Sequence, residues 1–311
     1  MAPTTQKSTA RLTPLSGVYG YSELLTPDGY NPKTKKGRAR GYSTAILHFA
    51  PANLSGYEVC SDRSAGCTHD CLNLSGHGAI GLDVETAISL TNTNEIQSAR
   101  IARTHLLFRQ RATFFAELVL AISTHIRRAL KNGLIPTVRL NGTSDLPWER
   151  MPFTDVDGVE YPSIMARFPD VQFYDYTKHP ARAMLSALGA MPANYVVTFS
   201  RSETNERIAL DVLRNGGNVA VVFNARTAHP SRPADPLPAT WHGFTVVDGD
   251  HDDLRFLDPT NVVVGLRAKG PRAKHDTSGF VVDVASDACG DPLTDEQYGQ
   301  LIALSEWQAA A

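Results

Sequence analysis

From residue 44 onward the chain alternates short β-branched and aromatic runs with helical patterns, and this rhythm restricts the fold more than any other feature. Strand-like runs fall at 44–50, 136–140, 171–177, 195–199 and 218–223, with weaker ones at 244–247 and 261–264. Residues 94–131 read as one long helix or two in tandem. Leu107, Phe115, Leu118, Ile122, Ile126 and Leu130 share an apolar stripe there, and Asn132-Gly133 is a helix stop. Shorter helices are expected at 163–168, 181–188, 205–214 and 294–308. Short apolar strands separated by helices belong to a parallel sheet with crossover connections. Right-handed crossovers turn consecutive strands into a closed barrel or an open doubly wound sheet. No strand is followed by the Gly-rich fingerprint of a dinucleotide fold. The expected fold is therefore α/β, a complete or partial (β/α) barrel with mostly parallel strands.

Three segments follow from this pattern: a less regular N-terminal lead-in at 1–43, the βα barrel core with a cysteine loop at 44–229, and a C-terminal extension at 230–311 that packs on the core. The Pro-rich run at Pro230, Pro233, Pro236 and Pro238 marks the second boundary. The basic run from Lys33 to Arg40 reads first as a solvated loop and second as a phosphate contact. Apolar content of 42% and charged content of 20% suit a globular protein with a substantial core. A net charge of −2 gives no general argument for nucleic acid or a membrane. Its distribution is uneven, with 17 Lys/Arg against 11 Asp/Glu in residues 1–150 and 13 against 21 in residues 151–311. No stretch approaches the roughly 18–20 apolar residues of a membrane span, and the N-terminus has no apolar signal core. A cytoplasmic location is expected, where thiols stay reduced.

Three of the four cysteines, Cys60, Cys67 and Cys71, fall in one loop directly after the first strand, in the spacing C-x6-C-x3-C; Cys289 stands alone. Clustered thiols in a reducing compartment point to metal rather than to a disulfide. Three thiolates match an iron–sulfur cluster held in a compact loop. The alternative is zinc, with His69 and His77 completing a set with Cys60.

Function in βα barrels sits on the loops that leave the C-terminal strand ends. Those exits carry the cysteine loop, then Ser144 and Asp145, then Tyr176, Thr177 and Lys178, then Ser200 and Arg201, and finally Asn224 and Arg226. Individually each reads as rim polarity or a turn residue; together with the cysteines they read as one site. The arginines Arg100, Arg103, Arg111, Arg127 and Arg128, with Tyr174 and Tyr176, also admit a nucleic-acid reading. The helical arginines cover more than one face, which favours plain helix solubility.

A cysteine loop directly after the first strand of a barrel resembles the radical S-adenosylmethionine superfamily, although C-x6-C-x3-C departs from its usual C-x3-C-x2-C. The order of the cysteine loop, Arg139-Leu-Asn-Gly-Thr-Ser-Asp145, Phe173-Tyr-Asp-Tyr-Thr-Lys178 and Asn194-Tyr-Val-Val-Thr-Phe-Ser200 looks like a family of phage-encoded proteins of unassigned activity. That resemblance spans roughly residues 43–225. The superfamily resemblance implies a 4Fe–4S cluster on Cys60, Cys67 and Cys71, S-adenosylmethionine as cofactor and an external electron donor, acting on an unknown substrate. It further implies that Asp145 meets the cofactor's ammonium or ribose, that Lys178 or Arg201 neutralises its carboxylate, and that Ser200 and Asn224 orient the ribose. A phage origin would place the protein in the host cytoplasm. The competing function is a zinc-stabilised nucleic-acid-binding module without catalysis.

Overall fold

A computed structural model describes residues 23–30, 32–79 and 93–289. The helix expected at 294–308 and the first half of the lead-in lie outside the described residues. Helix α1 (Pro32–Gly37) leads into strand β1 (Tyr42–Ile46), and the cysteine loop holds α2 (Ala52–Ser55) and α3 (Ala65–His69). Helices α4 (Glu95–Arg109) and α5 (Arg111–Lys131) then lead to β2 (Ile135–Arg139). A small hairpin, β3 (Phe153–Thr154) and β4 (Glu160–Tyr161), and helix α6 (Ile164–Arg167) precede β5 (Gln172–Thr177). Next come α7 (Pro180–Ala187), β6 (Tyr195–Ser200), α8 (Glu206–Arg214) and β7 (Val219–Phe223). Last are β8 (Thr240–Trp241), β9 (Phe244–Asp248), β10 (Val263–Arg267) and α9 (Gly270–Ala273).

Eight strands form one sheet in the order β1-β2-β5-β6-β7-β10-β9-β8, and every neighbouring pair is parallel except the antiparallel β8–β9 hairpin. The α/β character and the parallel strands are as expected. The sheet is not closed by strand pairing, since β1 and β8 are its edges. Residues beyond 230 contribute to the same sheet, with β10 between β7 and β9.

The elements form where local chemistry directs. Asn94 caps α4, its side chain accepting the Gln97 N–H at 2.9 Å. The pair of helices breaks at Gln110, whose backbone (φ −138°, ψ 57°) is not helical, so the tandem reading holds. Gly133, at φ 67°, turns the chain out of α5, a conformation that favours glycine. One core lies where Phe114, Phe115, Leu118 and Ile122 of α5 meet Val138 of β2 and Phe173 of β5. A second gathers Val212 and Leu213 of α8 with Val221, Phe223 and Trp241. Strand alternation sends one side of the sheet to these cores.

The other side of the sheet is polar. The Tyr174 hydroxyl on β5 donates to Thr44 Oγ1 on β1 across the intervening strand at 3.1 Å. Phe256 packs edge-on to Tyr42 and at a tilt to Tyr174, so the 249–258 segment lies against this face. Arg139 reaches into the same layer, over the Tyr176 ring at 5.1 Å and paired with Asp253 at 2.6 Å. The lead-in binds the 249–258 segment: Lys33 pairs with Asp250 at 2.9 Å and Arg40 with Asp252 at 2.8 Å. The basic run at 33–40, expected first as a solvated loop, is thus largely a clasp holding the segment that lines the polar face.

Candidate functional site: a thiol-lined cleft at the strand ends

Beyond the C-terminal ends of the parallel strands the chain encloses a cleft of about 2390 Å³. All three clustered cysteines line it, together with Asp145, Lys178 and Ser200. Local chemistry shapes the cysteine loop. Ser64 caps α3, its Oγ accepting the Cys67 N–H at 3.2 Å. That same Oγ donates to Glu203 at 2.7 Å, and Glu203 also accepts the Gly66 N–H at 2.7 Å, tying the loop to the β6 exit. Gly66 sits so close to the 276–284 segment that a Cβ there would stand 2.7 Å from Phe280 Cβ. The Asp145 N–H donates to the Val59 carbonyl at 2.7 Å, tying the loop to the β2 exit.

Burial raises the Cys60 thiol above its ordinary value, reinforced by the charges of Cys71, Asp145 and Cys67. Burial likewise raises Cys71, although the cations Arg100 and Lys178 oppose the shift. The three thiols are therefore electrostatic neighbours, and Cys60 and Cys71 are held in the protonated form at neutral pH. All four cysteines are free thiols. Among the described residues, no three His, Cys, Asp or Glu side chains are gathered as ligands of a single metal ion. The three thiols share the cleft with the cations Arg100 and Lys178.

Asp145 is engaged by the protein itself. It accepts from Thr177 Oγ1 at 2.8 Å, from the Lys178 N–H at 2.7 Å and from Arg182 at 2.5 Å. Arg182 is 2% exposed in its side chain and grips Glu149 with Nε and Nη2 at 2.9 and 3.1 Å. Its Nη2 also donates to the Tyr195 hydroxyl at 2.8 Å, and that hydroxyl donates to Asp175 at 3.0 Å. Asp145 thereby sets the backbone of Lys178, whose Nζ donates to Ser200 Oγ at 2.6 Å and lies 5.3 Å from the Phe280 ring centroid.

Arg201 and Asn224 are placed differently from Lys178 and Ser200. Arg201 donates to the Gly279 and Phe280 carbonyls and pairs with Glu206 at 2.7 Å. Asn224 exchanges hydrogen bonds with Asp283 and the Val284 N–H at 3.1 Å each. Neither lines the cleft; both fasten the 279–284 segment beside it. Cys289 lies in the second core cluster, where Trp241 packs, and also stays out of the cleft. His69 faces outward, hydrogen-bonded to Asp70 at 2.8 Å, and the His77 side chain lies outside the described residues. Tyr174 is fully buried and not presented for base stacking.

Sequence reasoning missed His48, Arg100 and Arg139 as cleft residues, as well as Arg182. His48 was hidden inside an expected strand, and the strand in fact ends two residues before it. Arg182 lies at the third position of α7, within the first turn after the β5 exit.

Burial raises Asp175 to about 7, against the opposing pull of Arg139, the Asn141 N–H and Arg182. The folded state thus holds this proton more tightly than the unfolded chain. The resulting stabilisation is full below about pH 4 and is lost as pH rises through about 7. Asp175→Asn is expected to flatten the fall in melting temperature between pH 5 and pH 8. An unaltered slope would mean that Asp175 is ionised throughout that range.

A mostly parallel α/β sheet with a polar, thiol-lined cleft at its strand ends defines the class to which this chain belongs. Residues 23–284 match the gene product 88 family, and the chain belongs to it. This is a phage-type family of unassigned function. No curated protein and no solved structure matches the chain. The radical S-adenosylmethionine superfamily is not among the matches, and among the described residues no helix is long and apolar enough to cross a membrane.

Proposed function

We propose that this protein is an iron–sulfur enzyme in which Cys60, Cys67 and Cys71 hold a 4Fe–4S cluster and the open fourth iron binds S-adenosylmethionine. The observation that carries this reading is the convergence of the three thiols on one cleft at the strand ends. A half-open barrel accords with the strand order and with the side chains that meet across the polar face. When bound, the cluster would supply the electron that cleaves the cofactor's sulfonium carbon–sulfur bond.

The chain's own residues have distinct parts in this scheme. Lys178, oriented through Asp145 and Ser200, offers an ammonium to the cofactor's carboxylate. Asp145 acts as a positioning residue, because its oxygens already receive three protein donors. Phe280, stacked against Lys178, shields that ammonium from water on one side. A zinc-stabilised nucleic-acid-binding module is the alternative reading.

The test is single-turnover chemistry. Iron-loaded protein, reduced by dithionite in the presence of S-adenosylmethionine, is expected to release 5′-deoxyadenosine. Intact cofactor after spectroscopically verified reduction of the cluster would remove the radical mechanism.

A further inference from the structure

Among the described residues, Arg100, on α4, is a buried cation with no acidic partner. It is 8% exposed, and both of its hydrogen bonds leave from Nη1, to Asn73 Oδ1 at 2.7 Å and to the Asn73 carbonyl at 3.2 Å. Asn73 is itself held by Gln97 through bonds of 2.9 and 3.0 Å. Gly78 leaves room for the guanidinium: a Cβ there would stand 2.9 Å from Nη1. One edge of the guanidinium is therefore fixed, while Nε on the other edge is buried without a hydrogen-bond partner.

Among the described residues no carboxylate acts on Arg100, and Arg103 sets a second cation beside it. A buried cation left this way is costly unless something anionic occupies the space beside it. His48 lines the same wall. Burial, followed by the charges of Arg100, Arg103 and Arg139, holds its imidazole well below the usual histidine range. The ring is therefore neutral at pH 7, and its Nδ1 already shares a hydrogen bond with Thr26 Oγ1 at 3.3 Å. Gly142 presses on it, since a Cβ at that position would stand 2.8 Å from His48 Cδ2.

We propose that this inner wall, built from Arg100 with Arg103 and His48 beside it, is an oxyanion subsite that takes a phosphate group of the substrate. The free edge of a guanidinium offers two parallel N–H donors matched to a phosphate or carboxylate. Arg103 stands beside Arg100, with its Nη2 donating to the Glu23 carbonyl at 2.6 Å. Cys71 and Arg100 line the same cleft, so the bound group would share it with the proposed cluster. The subsite rests on the enzymatic reading only in taking its occupant to be substrate; the binding itself needs no metal.

The experiment is a calorimetric titration of inorganic phosphate, and separately of acetate, into the full-length chain before and after chelator treatment. Saturable phosphate binding is expected, weakened at least about tenfold in Arg100→Gln and less in Arg100→Lys, which keeps the charge but loses the fork. Arg214→Gln, on the exposed face of α8, should leave it unchanged. Saturable acetate binding with phosphate ignored would keep the oxyanion subsite and assign it to a carboxylate. No saturable binding of either ion by the unaltered chain overturns the proposal, as does undiminished binding by folded Arg100→Gln. A chain that binds phosphate yet holds no iron would keep the subsite and lose the cluster.

Discussion

Anaerobically prepared Cys67→Ala protein is expected to take up no iron above background, whereas Cys289→Ala protein takes up as much as the unaltered chain. The contrast follows from placement. Cys67 is held in the first turn of α3 by Ser64 and lines the cleft with Cys60 and Cys71. Cys289 sits by Trp241, with its Sγ 3.5 Å from the Asp283 carbonyl. A cluster deprived of one of three thiolates loses its purchase on the chain, and no described cysteine stands by to replace it. Iron quantified after reconstitution, with circular dichroism to confirm folding, decides the matter. Equal loss in both variants would make Cys289 a ligand and contradict the open fourth site.

The second large effect is expected at Arg182. Arg182→Met leaves Asp145 and Glu149 without their shared cation, and both carboxylates are almost wholly enclosed. Breaking a buried pair from one side costs about 3–5 kcal/mol, because the orphaned charge stays behind. Urea unfolding should show a loss of that order. Adding Glu149→Gln should recover part of it, since the two changes act on one network. A loss below about 1 kcal/mol would mean that water already screens the network as it does an exposed pair. The same variant should also loosen the cleft, because Asp145 sets the Lys178 backbone.

The parallel sheet was legible in the sequence because apolar β-branched runs such as Val219–Phe223 have few other uses. The break between α4 and α5 was left open, since Gln110 carries no strong stop signal. Helix α1 was missed for a different reason. Its stability comes from Lys33 and Lys36 reaching Asp250 and its carbonyl, more than two hundred residues away, and local propensity is blind to such partners.

The cysteines and the β2, β5 and β6 exits were legible for the same reason as the sheet: once the strands are set, their C-terminal ends must come together. What the sequence hid was the direction in which each side chain turns. Ser200 and Arg201 are adjacent, yet strand alternation sends Ser200 to the cleft with Lys178 and Arg201 toward Gly279 and Glu206. Arg100 and Arg103 were read as solubilising charges on a helix, and both are buried. A helical arginine on an inner wall looks the same in sequence as one in water.

The central claim is that the three thiols of the cysteine loop hold a 4Fe–4S cluster. Its most direct test is elemental analysis of anaerobically purified protein together with an absorption spectrum. The account predicts about four iron and four sulfide per chain, with charge-transfer absorption in the visible. Stoichiometric zinc without iron in a colourless protein would contradict it.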